Sequence, residues 1–103
     1  MIGQGGMPCY TTAKSAVQGL TRSLARDLGP HNIRVNAVVP GWIMTQRQID
    51  LWVNEETEKE IRKHQCLKRK IYPDEVARVV LFFASDEAGA CTSQNYIVDG
   101  GWA

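Results

Sequence analysis

Tyr10 and Lys14 stand four residues apart in the run Tyr10-Thr11-Thr12-Ala13-Lys14. On a helix that spacing puts a phenol and an ammonium on one face, within reach of a common ligand. A free phenol is a weak base at neutral pH, and an ammonium beside it favours the phenolate. Such a tyrosine can exchange a proton with a substrate hydroxyl or carbonyl oxygen while a separate cofactor carries the hydride. The other reactive residue types form no comparable group. His64 and Cys66 are too few and too close together for a metal site and read as structural or solvated. Lys68-Arg69-Lys70 beside an acidic helix reads as a solvated face rather than a phosphate or nucleic-acid patch.

The elements that must position these groups follow from periodicity. From Pro8 to Leu28 apolar residues recur at Ala13, Ala16, Val17, Leu20, Leu24 and Leu28, which predicts an amphipathic helix stopped by Gly29 and Pro30. Ile33 to Val39, apolar on both faces and rich in β-branched residues, reads as a buried parallel strand ended by Pro40 and Gly41. Trp42 to Val53 reads as a loop or loose helix. Asn54 is a good N-cap for a charged, lid-like helix from Glu55 to about His64, with Glu55–Lys59 and Glu58–Arg62 as supporting pairs. A further helix begins at Pro73 and runs to about Ser85, with Val76, Val79, Val80 and Phe83 on its buried side. Asn95 to Val98 is a short strand closed by Asp99, Gly100 and Gly101.

Helix, strand, helices, strand is an α/β order, and its two strands linked by helices should lie parallel with a right-handed crossover. Two parallel strands are an incomplete sheet. The opening helix and first strand are therefore expected to pack against a strand outside this sequence, as the C-terminal portion of a larger single domain spanning residues 1–103 here.

Composition narrows the function classes. Among 103 residues 44% are hydrophobic, which suits a globular core, and no apolar run is long enough to cross a bilayer. Twelve basic residues against eleven acidic ones leave a net charge of +1, without the footprint of a nucleic-acid or anionic-membrane binder. A small-molecule partner is expected. Cys9, Cys66 and Cys91 are odd in number, widely spaced and lack a CxxC pair, which fits buried thiols in a reducing, cytoplasmic compartment.

Taken together, Tyr10-Thr11-Thr12-Ala13-Lys14, Ala16-Val17, Leu20-Thr21, Ile33 to Gly41, Pro73-Asp74-Glu75-Val76-Ala77, Leu81 to Asp86 and Val98-Asp99-Gly100-Gly101 resemble the classical short-chain dehydrogenases in spacing and order. The resemblance covers nearly the whole chain and implies a Rossmann-type doubly wound sheet, NAD as cofactor with NADP as the alternative, and a homo-oligomer. It makes Tyr10 the catalytic acid/base and has Lys14 assist it and bind the nicotinamide ribose. It also places Pro40, Gly41, Trp42 and Ile43 under the nicotinamide, with the Ile43 backbone at the carboxamide and Thr45 donating a hydrogen bond nearby.

A narrower likeness, in Thr45-Gln46-Arg47-Gln48, Trp52, Gln65-Cys66-Leu67-Lys68 and Cys91-Thr92, is to the aldose 1-dehydrogenases, the bacterial D-xylose 1-dehydrogenases in particular. It implies that Gln46 and Arg47 bond sugar hydroxyls and that Trp42 or Trp52 offers a face to the sugar ring. Packing of the loop is the alternative role for the tryptophans, and solvation for Arg47. A 3-oxoacyl carrier-protein reductase or general alcohol dehydrogenase is the alternative within the class, and a non-catalytic association module the alternative outside it. The family's glycine-rich nucleotide turn and catalytic serine belong upstream of this stretch. Gly3-Gln4-Gly5-Gly6 follows no strand and reads as the loop into the first helix, so the chain alone is expected to be inactive. Ser93 stands where the family often has glycine, which bears on the local turn.

Overall fold

The structure, a computed structural model, describes residues 8–51 and 54–102. In chain order it contains α1 (Pro8–Leu28), β1 (Ala37–Pro40), α2 (Gln46–Leu51), α3 (Glu55–His64), α4 (Pro73–Ala84) and β2 (Asn95–Val98). β1 and β2 pair in parallel: Ala37 N–H donates to the Gln94 carbonyl and, four residues on in each strand, Gly41 N–H donates to Val98, both at 2.9 Å. The expected α/β order with parallel strands is what the chain adopts. Two compact units divide it, one holding residues 8–37 and 89–95 and the other residues 38–51, 54–88 and 96–102. No described helix is long and apolar enough to cross a membrane.

In the first unit α1 ends where Gly29 and Pro30 open a short 3-10 turn, and Asn32, at φ 59°, donates its N–H to Gly29. Asn is one of the few residues that take this left-handed conformation readily. Thr21 and Ala25 are buried, and the Thr21 hydroxyl donates to the Val17 carbonyl at 2.8 Å. Val17 and Leu20 on the same helix are more than half exposed.

The first strand is shorter than its composition suggests, beginning at Ala37 rather than Ile33. Residues 33–36 are bound to 91–94 largely through side chains. Val35 N–H donates to Thr92 Oγ1, the Asn36 amide donates to the Cys91 carbonyl at 2.8 Å, and Asn36 Oδ1 accepts from Gln94 N–H. These bonds replace a backbone ladder, so regular pairing starts only where they end. Ser93 turns this segment at φ 61°, its N–H donating to Val35 at 2.8 Å.

In the second unit the buried apolar residues are Val39, Ile43, Met44, Ile61, Ile71 and Ala88. Ile43 and Ile71 form a parallel bridge, and Met44 N–H donates to the Ile71 carbonyl. The stretch read as loop or loose helix contains the short helix α2, while Trp52 and Val53 lie outside the described residues. α3 starts as expected: Asn54 Oδ1 accepts from Thr57 N–H and Thr57 Oγ1 accepts from Asn54 N–H, a reciprocal cap. Acidic residues in its first turn and basic ones in its last complement the helix dipole. Only Ile61 of α3 is buried.

α3 exits into Gln65, which is 1% exposed. Its amide donates to the carbonyls of Leu67 and Arg69 at 2.6 and 2.5 Å. Cys66 and Leu67 N–H groups donate to the carbonyls of Gly101 and Gly100. Those glycines sit at φ 79° and 68°, and a Cβ on Gly100 would fall 2.7 Å from the Gln65 side chain.

Three side-chain expectations need correction. Glu58 pairs with Lys70 at 2.6 Å instead of with Arg62 one turn on, and Arg69 pairs with Glu75 at 2.7 Å, so two of the three clustered cations have carboxylate partners. Those partners hold the Glu58 and Glu75 carboxyls below the ordinary glutamate range, Glu75 also accepting the Tyr72 N–H at the head of α4. On α4, Val76, Val79 and Phe83 are half-buried as expected, whereas Val80 is exposed, as are Leu81 and Phe82 beside it. The three cysteines are free thiols, but Cys9 and Cys66 are exposed, being on the first turn of α1 and in the loop after α3.

Candidate active site

α1 brings together the two residues with the clearest chemistry. The Lys14 ammonium lies 5.5 Å from the centroid of the Tyr10 ring, a distance at which a cation and an aromatic face attract. Tyr10 is half exposed and Lys14 partly buried, so the phenol is accessible and the ammonium sits against it. The pair places a phenol and an ammonium on one helical face. Regular helix geometry fixes their spacing without help from any other segment.

The turn after β1 lies in the second unit. Pro40 is exposed at the strand end, and Gly41 follows, held by its bond to Val98. The missing side chain of Gly41 has a reason within the chain itself: a Cβ there would meet Asp99 Cβ at 2.3 Å and Asp99 Cα at 2.8 Å. Trp42 is half-buried, and its ring packs on Trp102 at 6.1 Å with a 45° tilt. Ile43 is buried, and its carbonyl accepts from Thr45 N–H. Thr45 is exposed and heads α2, its carbonyl accepting from Ile49 N–H.

On α2 both residues expected to meet a substrate are exposed. The Gln46 amide donates to Asp50 Oδ1 at 2.8 Å one turn along. Arg47 projects its charge from the following position. Trp52 lies outside the described residues, as does the glycine-rich run Gly3 to Gly6.

Sequence reading overlooked the aromatic group around Trp102. His64 stacks on it at 5.5 Å and 24°, and Glu60 lies 3.2 Å from His64 Nε2. His64, read from sequence as structural or solvated, stacks on Trp102 and keeps part of its ring in solvent. Trp102 carried no local signal, because its partners Trp42 and His64 are far away along the chain. Among the described residues no group of three His, Cys, Asp or Glu could hold a metal ion.

The chain is similar in sequence and fold to known proteins. A family model described as enoyl-(acyl carrier protein) reductase matches residues 1–103. A "probable galactose dehydrogenase" of Rhizobium meliloti is 50% identical over 95 residues, covering 92% of this chain and 37% of that protein. The D-xylose 1-dehydrogenase of Caulobacter vibrioides is 48% identical over 101 residues, covering 98% of this chain and 40% of that one. A solved 7α-hydroxysteroid dehydrogenase complexed with NADH and 7-oxo glycochenodeoxycholic acid superposes with a TM-score of 0.90, at 32% identity over 99% of this chain and 40% of its own. The chain belongs to the short-chain dehydrogenase/reductase family. It spans about two fifths of the length of these curated relatives.

Proposed function

We propose that this chain supplies the tyrosine–lysine part of an NAD(P)-dependent oxidoreductase that oxidises an aldose at C1 to an aldonolactone. The observation that carries the reading is the Lys14 ammonium set 5.5 Å from the ring of an accessible Tyr10 on one face of α1. Likeness to a galactose and a xylose dehydrogenase supports a sugar as substrate, and the NADH-bound structure supports the cofactor.

The donor set suits a dinucleotide: an ammonium free to reach ribose hydroxyls, and beyond β1 a threonine exposed at the head of a helix. A bound nicotinamide cofactor would supply the acceptor for the hydride that leaves the anomeric carbon. Tyr10 is the base that takes the anomeric hydroxyl proton, so that the C1–O bond becomes the lactone carbonyl. Lys14, whose ammonium lies beside the Tyr10 ring, would bond a ribose hydroxyl of the bound cofactor. Gln46 and Arg47 bond the remaining sugar hydroxyls, and Trp42 covers one face of the ring. These roles separate proton handling on α1 from substrate recognition on the turn and α2.

A second reading draws on α1, whose Val17, Leu20 and Leu24 remain exposed at 52%, 57% and 37%. An apolar stripe of this kind fits packing against the rest of the domain, of which this chain spans only part, or association with a second copy in a homo-oligomer. One experiment serves both. The gene product carrying this chain is assayed for NAD and NADP reduction with xylose, galactose and simple alcohols, alongside Tyr10→Phe. Sugar-dependent NAD reduction that falls by about 10²–10⁴-fold in Tyr10→Phe is expected. Full activity in that variant would remove Tyr10 from the mechanism. An inactive product that sediments as a stable dimer would replace the enzyme reading with the second.

A further inference from the structure

We propose that Trp102 is a positioning residue for the substrate side of this site, fixing the orientation of Trp42 and tying it to the end of α3; the proposal rests on the aldose reading given above. Three segments remote in sequence meet at this residue. Its ring stacks on His64 in the last turn of α3 at 5.5 Å and 24°, and packs on Trp42 in the turn after β1 at 6.1 Å and 45°. Its backbone forms an antiparallel bridge with Gln65.

The backbone on every side of this aromatic group is pinned. Gly41, just before Trp42, is bound to Val98 and has Asp99 in the space a side chain would fill. Gly100 and Gly101, just before Trp102, accept from Leu67 and Cys66, and Gln65 is fully buried with its amide spent on two carbonyls. His64 is itself held by Glu60. Within this pinned backbone Trp42 is half-buried, and the Trp102 ring is one of the groups packed against its indole.

An indole offered to a sugar face must be oriented before the ligand arrives, or binding bears the entropy of ordering it. Trp102 itself is 41% exposed and carries neither the proton nor the hydride. Its loss should therefore weaken binding of substrate and transition state alike, raising KM while leaving kcat.

The test uses the gene product carrying this chain, with the aldose it oxidises fastest. In far-ultraviolet circular dichroism, in the region of the strong indole band, the two close, tilted indoles should give an exciton couplet that disappears in Trp102→Leu. The same variant should raise KM about three- to tenfold, the scale of one lost aromatic pair, with kcat within about twofold. Trp102→Gln, flat but not aromatic, should behave alike, whereas Trp102→Phe should return KM to within about twofold of the parent.

A folded Trp102→Leu with the parent KM overturns the proposal while leaving the aldose reading intact. So does a parent protein without the couplet, and so does a fall in kcat shared equally by all three variants, which marks a merely structural role. Failure of both Trp102→Leu and Trp102→Gln to fold overturns it in the same way. Absence of any aldose oxidation by the parent removes the reading beneath it, and the proposal falls with that reading.

Discussion

Replacing Ser93 with glycine should stabilise the protein, although no contact is gained. Ser93 sits at φ 61° in the turn that feeds β2, a conformation that costs an L-residue other than Asn or Asp about 1–2 kcal/mol. Glycine removes that strain and gives back about 0.4–1 kcal/mol through the greater freedom of its unfolded chain. The one backbone bond at this position, from Ser93 N–H to Val35, survives the change. The balance is a gain centred on about 1 kcal/mol, which at a urea m-value of about 2 kcal/mol per molar moves the midpoint up by about 0.5 M. Urea melts of the gene product carrying this chain, followed by far-ultraviolet circular dichroism, measure it directly. Ser93→Ala is the control, since it keeps the Cβ and should show no gain. An unchanged or lower midpoint for glycine, or equal gains for both variants, would refute the strain argument.

Gly41→Ala should act in the opposite direction. Its methyl group would meet Asp99 backbone as well as side chain, so a loss of about 2 kcal/mol or more in a urea melt is expected, and a neutral outcome would show that the strand ends separate freely. The Arg69–Glu75 pair predicts a pH dependence. Because the folded-state value of Glu75 is lowered, chiefly by Arg69 and then by the Tyr72 N–H, its contribution is present above the ordinary glutamate range and is lost as pH falls through the lowered value. Glu75→Gln should make the acid limb of a stability-against-pH curve shallower and leave its neutral-to-alkaline side parallel to the parent's; identical acid limbs would count against the pair.

What the sequence disclosed was whatever local geometry decides. Tyr10 and Lys14 meet because four residues make about one helical turn, and Asn54, Pro73 and the Gly29–Pro30 pair mark helix ends by chemistry within a few residues. The α/β order and the family likeness were legible for the same reason, as runs of neighbouring residues. The start of β1 was not, because Ile33, Arg34 and Val35 have strand character while their partners, some 57 residues on, bind through Thr92 and Asn36 side chains. Val80 belongs to the apolar pattern of α4 yet is exposed, since periodicity identifies a face and not what covers it. Gly41 was read through the cofactor, whereas the nearest crowding comes from Asp99. Trp102 escaped notice because aromatic contacts with Trp42 and His64 leave no mark in the residues around it.

The stitching of Cys66 and Leu67 to Gly101 and Gly100 has a consequence for how the protein is made. The acceptor carbonyls are synthesised roughly 35 residues after their donors, a delay of about 2–7 s at ordinary elongation rates. Throughout that interval α3 can form from its own cap and Gln65 can reach the nearby Leu67 and Arg69 carbonyls, but the N–H groups of Cys66 and Leu67 have nothing to close against. The exit of α3 is thus one of the last parts of this chain to be completed, since it is closed only by the Gly100–Gly101 turn.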